Sequence, residues 1–340
     1  MSTYGAAVIG LRMGASHAQA YAEHPQCRLV AVCDTDAQQA EAIATRWAAH
    51  ATATDYHDLL ERNDVDIVSV ATPDYFHAEQ CVAAMEAGKH VLCEKPLALN
   101  LDDCRAIVSA ANRTGRQCMV GQVGRYTPGF ILARQLVQDG HIGQLFFVES
   151  EYAHNYTQAR GVGDWRVDPR RHPFIGGACH AVDLVRWVAG NVAEVFAFAN
   201  HVAMPAWPVD DCTIACLRFE SGVVGKVFCS IGCRRPYTMR SLFYGTEGTI
   251  VCDNTSPQIQ LFSTTHPEAR EAAERMEFLS LPVDIASHNV AHEVAELVAA
   301  LDAGRPVATD ALEGARTVAT CVAAVESAAT GEPVRVCNDF

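Results

Sequence analysis

Short apolar runs alternate with helix-period stretches through the first third of the chain. Residues 6–9 and 28–33 predict strands, and residues 16–23 and 36–48 predict the helices that follow them. The alternation continues with a β-branched run at 66–71, a helix at 76–87, a strand at 90–93, a helix at 101–113 and a strand at 117–121. Runs that are apolar toward both faces belong to parallel strands covered by helices. Residues 1–122 are therefore expected to form a doubly wound parallel α/β domain.

Beyond residue 122 the rhythm changes. Apolar runs at 146–152, 193–201, 213–219, 223–229 and 239–244 follow one another, with turn signals at Ser221-Gly222 and at Gly245-Thr246-Glu247-Gly248. Consecutive strands with few helices between them predict an open, mostly antiparallel sheet with helices on one face. A helix-like insertion at 178–188 and two closing helices at 291–301 and 311–328 complete a second domain, expected over residues 123–340. Residues 213–219 and 223–229 leave alternate apolar side chains for the other face. A monomer would expose that face, so pairing of sheets between copies is expected.

Composition narrows the class. The 340 residues are 49% hydrophobic and 19% charged, which suits a globular protein of two domains. Lysine and arginine number 26 against 40 aspartate and glutamate, and no basic run offers a track for phosphates, so nucleic acid is not an expected partner. The 14 cysteines include no Cys-x-x-Cys pair and fall mostly in apolar runs, where free cysteine acts as a small hydrophobe. A reduced, cytoplasmic protein without a metal site is expected. Met1-Ser2-Thr3-Tyr4 leads into the first strand without a basic leader, and no apolar stretch is long enough for a membrane span.

The first strand-to-helix turn reads Gly10-Leu11-Arg12-Met13-Gly14-Ala15-Ser16-His17. Such a turn brings backbone and a helix N-terminus up to a pyrophosphate, although Arg12 stands where the usual spelling has glycine. Asp34 ends the second strand twenty residues past Gly14, the spacing at which a carboxylate meets the adenosine ribose. Asp34 and Asp36 would repel a 2′-phosphate, which favours NAD, while Arg12 keeps NADP possible. Asp36 also suits a helix N-cap. Thr72-Pro73 to His77 follows the third strand and Cys93-Glu94-Lys95-Pro96 the fourth, both at carboxyl ends where open α/β sheets bind ligands. Lys95 is the group of interest, because a lysine in a cleft is suited to proton transfer.

These motifs, with Val120-Gly121-Gln122 to Arg125, Gly176-Gly177-x-x-His180-x-x-Asp183, Gly245 to Thr249 and residues 327–334, resemble the Gfo/Idh/MocA oxidoreductases over nearly the whole chain. The resemblance implies a Rossmann-type first domain holding the cofactor through Gly10, Arg12, Met13, Gly14, Asp34, Thr72, Pro73, His77, Glu94, Lys95 and Gln122. It implies that Lys95 and His180 are catalytic, facing the nicotinamide. In the family an aspartate usually stands four residues before the histidine; here that position is Gly176, leaving Asp168 or Asp183 as substitutes. Asp183, one helical turn past His180, suits either orienting the imidazole or a charge on the helix surface.

Substrate contacts are expected from Tyr126, Asn155, Trp165, Arg166, Asp168 and Asp183, with Trp165 alternatively a core residue. Arg170-Arg171-His172 reads as an exposed, solvated cluster, unless the substrate is a carboxylated sugar. The implied activity is hydride transfer between NAD(P) and a hydroxyl or carbonyl of a sugar, polyol or cyclitol by a homodimer or homotetramer. Alternatives within the family are an NAD-dependent glycosidase, whose threonine before the histidine is replaced by Cys179, and a non-catalytic NAD-binding regulator.

Overall fold

A computed structural model describes residues 3–158, 161–286 and 288–340; Met1 and Ser2, the start of the segment read as lacking a leader, lie outside the described residues. The chain divides into two compact units. One comprises the residues up to Gln122 together with Asn289–Val318 and Phe340, and the other Val123–His288 with Ala319–Asp339.

The first unit opens with β1 (Tyr4–Ile9), α1 (Gly14–Glu23), β2 (Cys27–Cys33), α2 (Ala37–Trp47), β3 (Ala51–Ala53), a single helical turn α3 (His57–Leu60) and β4 (Ile67–Val70). It continues with α4 (His77–Glu86), β5 (His90–Cys93), α5 (Leu101–Thr114) and β6 (Cys118–Val120). The six strands lie in the order β3-β2-β1-β4-β5-β6, with every pair parallel. Their side chains are buried toward both faces in β1, β4 and β5, as covering helices require. Helix boundaries follow local chemistry: Asp36 accepts from Gln38 N and Gln39 N to cap α2, and Asn100 caps α5, which Gly115 ends at φ 66°.

The second unit contains α6 (Pro128–Gln138), β7 (Leu145–Ala153), α7 (Pro173–Gly176), α8 (Cys179–Ala189), β8 (Val192–Asn200), β9 (Cys212–Phe219), β10 (Val224–Ser230) and β11 (Arg240–Gly245). Then come β12 (Gly248–Asp253), β13 (Gln258–Ser263), α9 (Arg270–Glu274) and β14 (Leu279–Pro282); the chain closes with α10 (Val290–Ala303), α11 (Ala311–Thr330) and β15 (Val334–Arg335). The nine-stranded sheet runs β14-β13-β12-β11-β7-β10-β9-β8-β15. Its pairs are antiparallel except β7 with β10.

One face of this sheet is covered by α6 and α8, which pack on β12 and β7. Thr213, Ala215, Leu217 and Phe219 of β9 point inward, so Ile214, Cys216 and Arg218 point outward. The register sets Phe198, Ile214 and Phe228 side by side on that outer face.

Asn289–Val318, which the sequence partition placed with the second domain, packs with the first unit. Two features hold it there. α10 buries Val290, Val294, Leu297 and Val298 and packs on α1, and Val120 N donates to Thr309 O at 2.7 Å. None of the described helices is long and apolar enough to cross a membrane.

Candidate active site

The turn from β1 to α1 is shaped by backbone proximity. Gly10 has φ +83°, and a Cβ there would lie 2.7 Å from Ala71 O, so only glycine lets the first turn meet the end of β4. At Gly14 a Cβ would stand 2.8 Å from Val8 Cγ1, which makes it the glycine that lets α1 pack on β1. The N-terminus of α1, preceded by half-exposed Met13, carries no side-chain cap and no acid in its first turn. Its donors and positive potential suit a pyrophosphate.

Asp34 Oδ2 accepts from Leu11 N at 2.8 Å and Oδ1 from Asp36 N at 3.0 Å, so the half-buried carboxylate is fixed beside the glycine turn with acceptor capacity remaining. Exposed Arg12 sits 4.0 Å from Asp36. Asp36 takes the N-cap role that its position allowed. These residues fit the adenosine and diphosphate of NAD: Gly10 and Gly14 open the turn although Arg12 replaces a usual glycine, the helix end is uncapped, and the Asp34 carboxylate beside it has acceptor capacity for a ribose.

At the ends of β4 and β5, His77 ties two loops together. Its Nδ1 lies 2.8 Å from Pro96 O and its Nε2 3.0 Å from Thr72 O, while Thr72 Oγ1 donates to Gln80. The Lys95-Pro96 peptide between Glu94 and the first residues of the next loop is cis. Beneath lies a buried polar chain. Tyr21 OH and Ser69 Oγ are 2.9 Å apart, His17 Nδ1 meets Ser69 Oγ at 3.1 Å, and His17 Nε2 meets Glu94 Oε1 at 3.1 Å.

Lys95 N donates to Glu94 Oε2 at 3.2 Å. Burial works against the Glu94 carboxylate, but His17 and Lys95 hold it down to about 2. Glu94 is thus anionic across the physiological range, a fixed charge at the base of the partly buried Lys95. Gln122, buried at the end of this unit, has no partner for Oε1 among the described residues.

The second unit positions His180 at the start of α8, next to an aromatic cluster. Tyr152 stacks on the imidazole with ring centroids 6.1 Å apart, and His288 meets it edge-on at 6.1 Å. Tyr152 OH also lies 2.9 Å from Tyr156 OH and 3.1 Å from His154 Nδ1, and burial pushes the Tyr152 hydroxyl well above its usual range. Gly177 admits this packing, since a Cβ there would sit 2.6 Å from the Tyr152 ring.

At Gly176 the place of a side chain is taken by Arg171. A Cβ would be 2.3 Å from Arg171 Cζ, and Arg171 Nη2 donates to Gly176 O at 3.0 Å. A guanidinium therefore stands where the family pattern has a carboxylate. This corrects the reading of 170–172 as an exposed cluster. Arg171 is 2% exposed and stacks on Trp165 at 4.9 Å, His172 caps α7 and is brought down to about 4 by burial, and only Arg170 is exposed.

Of the two readings open for Asp183, burial excludes the helix-surface charge. Its two oxygens accept from Arg125 Nη2 and Nε at 2.7 and 2.8 Å. Asp168 pairs with Arg170, which holds it down to about 2. Asn155 Oδ1 accepts from Thr157 N and Oγ1, closing a turn. Trp165 is half-buried with Arg166 stacked on it at 4.7 Å, and half-buried Tyr126 ends the turn Val123–Tyr126.

The sequence reading missed His17, Ser69, Glu293, Arg171 and the tyrosines around His180 as site components. His17 was within reach, since it lies in the glycine turn it helps to support. No group of three or more histidine, cysteine, aspartate or glutamate side chains suited to a metal occurs among the described residues.

A doubly wound domain with this glycine turn, a carboxylate fixed beside it and a lysine at a strand end, followed by an open-sheet domain, defines an NAD-binding oxidoreductase of two-domain architecture. The chain belongs to the Gfo/Idh/MocA family. The family model described as "Oxidoreductase family, NAD-binding Rossmann fold" matches residues 4–122, and that of the "GFO/IDH/MocA C-terminal domain" matches residues 130–251.

Among curated relatives, a 1,5-anhydro-D-fructose reductase of Ensifer adhaerens is 29% identical over 91% of both chains. An inositol 2-dehydrogenase of Salmonella paratyphi B is 27% identical over 72% of this chain and 73% of its own. A solved levoglucosan dehydrogenase complex with NADH and L-sorbose shares the fold, at a TM-score of 0.91 and 24% identity, covering 99% of this chain and all (100%) of its own.

Proposed function

We propose that this chain is an NAD-dependent dehydrogenase, or reductase in the reverse direction, acting on a hydroxyl of a sugar, polyol or cyclitol. The observation that carries the reading is Lys95 at the carboxyl end of β5, anchored from below by the Glu94 carboxylate and its buried hydrogen bond to His17. NAD, when bound, accepts the hydride from the carbon. The glycine turn and Asp34 would hold its diphosphate and adenosine ribose, and Gln122 offers a further polar contact. Lys95 takes the hydroxyl proton in the oxidative direction. His180, set at the start of α8 and stacked on Tyr152, is the second group we assign to proton handling. The names of the reductase and inositol dehydrogenase relatives support a polyhydroxylated substrate. The free cysteines suit the reducing cytoplasm.

A panel of sugars, polyols and cyclitols, offered with NAD and with NADP and followed by formation of reduced nicotinamide, tests this. At least one polyol should reduce NAD, and NADP should be the weaker cofactor because Asp34 and Asp36 repel its phosphate. Preference for NADP would move cofactor choice to Arg12, and no reduction with any member of the panel would refute the substrate class.

The outer face of the second unit's sheet supports a homo-oligomer. Phe198 is 64% exposed, Val224 48% and Ile214 38%, and such a face is covered when two copies pair about a twofold axis. Light scattering at micromolar concentration should return a dimer or tetramer; a single-chain mass contradicts it.

A further inference from the structure

α10 carries a glutamate into the interior of the first unit. Glu293 shares its helix face with Val290, Val294 and Leu297 and is 0% exposed. Among the described residues neither of its carboxyl oxygens has a hydrogen-bond partner. Both oxygens lie 3.6 Å from where a Cβ on Gly121 would stand, so the carboxyl fills space that the missing side chain leaves at the end of β6. Gly121 N donates to Cys93 O at 2.7 Å, which brings this space against the strand end that bears Glu94 and Lys95.

The charged and titratable groups acting on Glu293 are Glu94 and Lys95 from the β5 turn and Tyr21 from α1; His17, also on α1, is bonded to Glu94. Burial, and then the Glu94 carboxylate, push Glu293 well above the ordinary carboxyl range, with Lys95 opposing. Glu94 goes the other way, to about 2. Two carboxyl groups in one pocket whose environments drive them apart divide their roles: one carries the charge and the other carries a proton.

We propose that Glu293 is a positioning residue for Lys95. It remains a neutral acid and so confines the negative charge behind the β5 turn to Glu94, whose carboxylate anchors the base of Lys95. A second anion in that pocket would draw the lysine ammonium inward, away from the reacting hydroxyl. Removal of the acid would leave a void beside Gly121 and loosen the turn. This role rests on the proposed part of Lys95 in proton transfer.

Two measurements test it. The first uses the protein without substrate or cofactor and follows urea unfolding from pH 5 to 8 for the wild type and Glu293→Gln. A carboxyl raised in the folded state contributes stability that is complete below its unfolded value of 4.5 and is lost as pH rises toward the folded value. The wild-type unfolding constant should therefore grow relative to that of Glu293→Gln by about tenfold per pH unit until the folded-state proton is lost. Parallel curves would overturn the neutral acid.

The second compares kcat and KM on whichever polyol the wild type oxidises. Glu293→Ala should lose at least about tenfold in kcat with KM for NAD unchanged, a fraction of the roughly hundred- to ten-thousandfold that a positioned proton-transfer group supplies. Glu293→Gln, neutral and able to donate, should restore most of it. Wild-type kcat in Glu293→Ala would overturn the positioning role. A wild type inactive on every polyol would strike the dehydrogenase reading alone, and the unfolding curves would still decide the state of Glu293.

Discussion

Lys95→Ala should lower kcat by about a thousandfold, within the range for loss of a positioned proton-transfer group, while the NAD dissociation constant stays within about threefold. The two effects separate because different residues carry them. Affinity is expected from the Gly10 turn, the uncapped start of α1 and Asp34, none of which depends on the lysine. The reacting hydroxyl is expected to meet Lys95, whose backbone is held by Glu94 at 3.2 Å. Calorimetric titration of NAD and steady-state rates on the best polyol of the panel check the pair. Wild-type rates in the variant would remove Lys95 from the chemistry, and a large loss of NAD affinity would make it a cofactor ligand first.

Asp183→Asn should destabilise the protein by about 3 to 5 kcal/mol, the usual cost of leaving one member of a buried ion pair without its counter-charge. Asp183 is 1% exposed and Arg125 is 8% exposed, and the pair is bidentate at 2.7 and 2.8 Å. Arg125 also lies over Trp187 at 5.8 Å, so the guanidinium cannot turn to water without giving up packing. Replacing both partners with Leu and Met should recover much of the loss, since no buried charge is then stranded. Urea unfolding of the single and double variants measures this, and a single variant within about 0.5 kcal/mol of wild type, the range of ordinary surface substitutions, would show that the pair is not held as described.

What could be read in the chain depended on how locally each feature is determined. β1, β4 and β5 are apolar on both faces and stand out as runs, and Asp36 announces the start of α2. β3 is three half-exposed or exposed residues at a sheet edge, without an apolar run to find. β12 and β13 bury only alternate residues, Ile250 and Cys252 in one and Ile259 and Leu261 in the other, so each is a weak signal outside its sheet. α6 carries a local signal outside the strand pattern: Thr127-Pro128 at its start and Phe130, Ala133 and Leu136 along one face.

The site shows the same division. The glycine turn, Asp34 and the Glu94-Lys95-Pro96 turn are contiguous and were legible. Arg171 looked like a surface charge because its burial requires the gap at Gly176 and the ring of Trp165. Glu293 looked like any helix glutamate, because only the packing of α10 on α1, and the bare Gly121, make its position a buried one.

The proposed reaction moves hydride from a polyol carbon to NAD. A polyol deuterated at its carbinol carbons, incubated with the protein and NAD, should yield reduced cofactor one mass unit heavier than that from unlabelled polyol, with the label on the nicotinamide ring. Reduced cofactor without the label, or label lost to water, would contradict direct transfer and with it the proton-transfer role of Lys95.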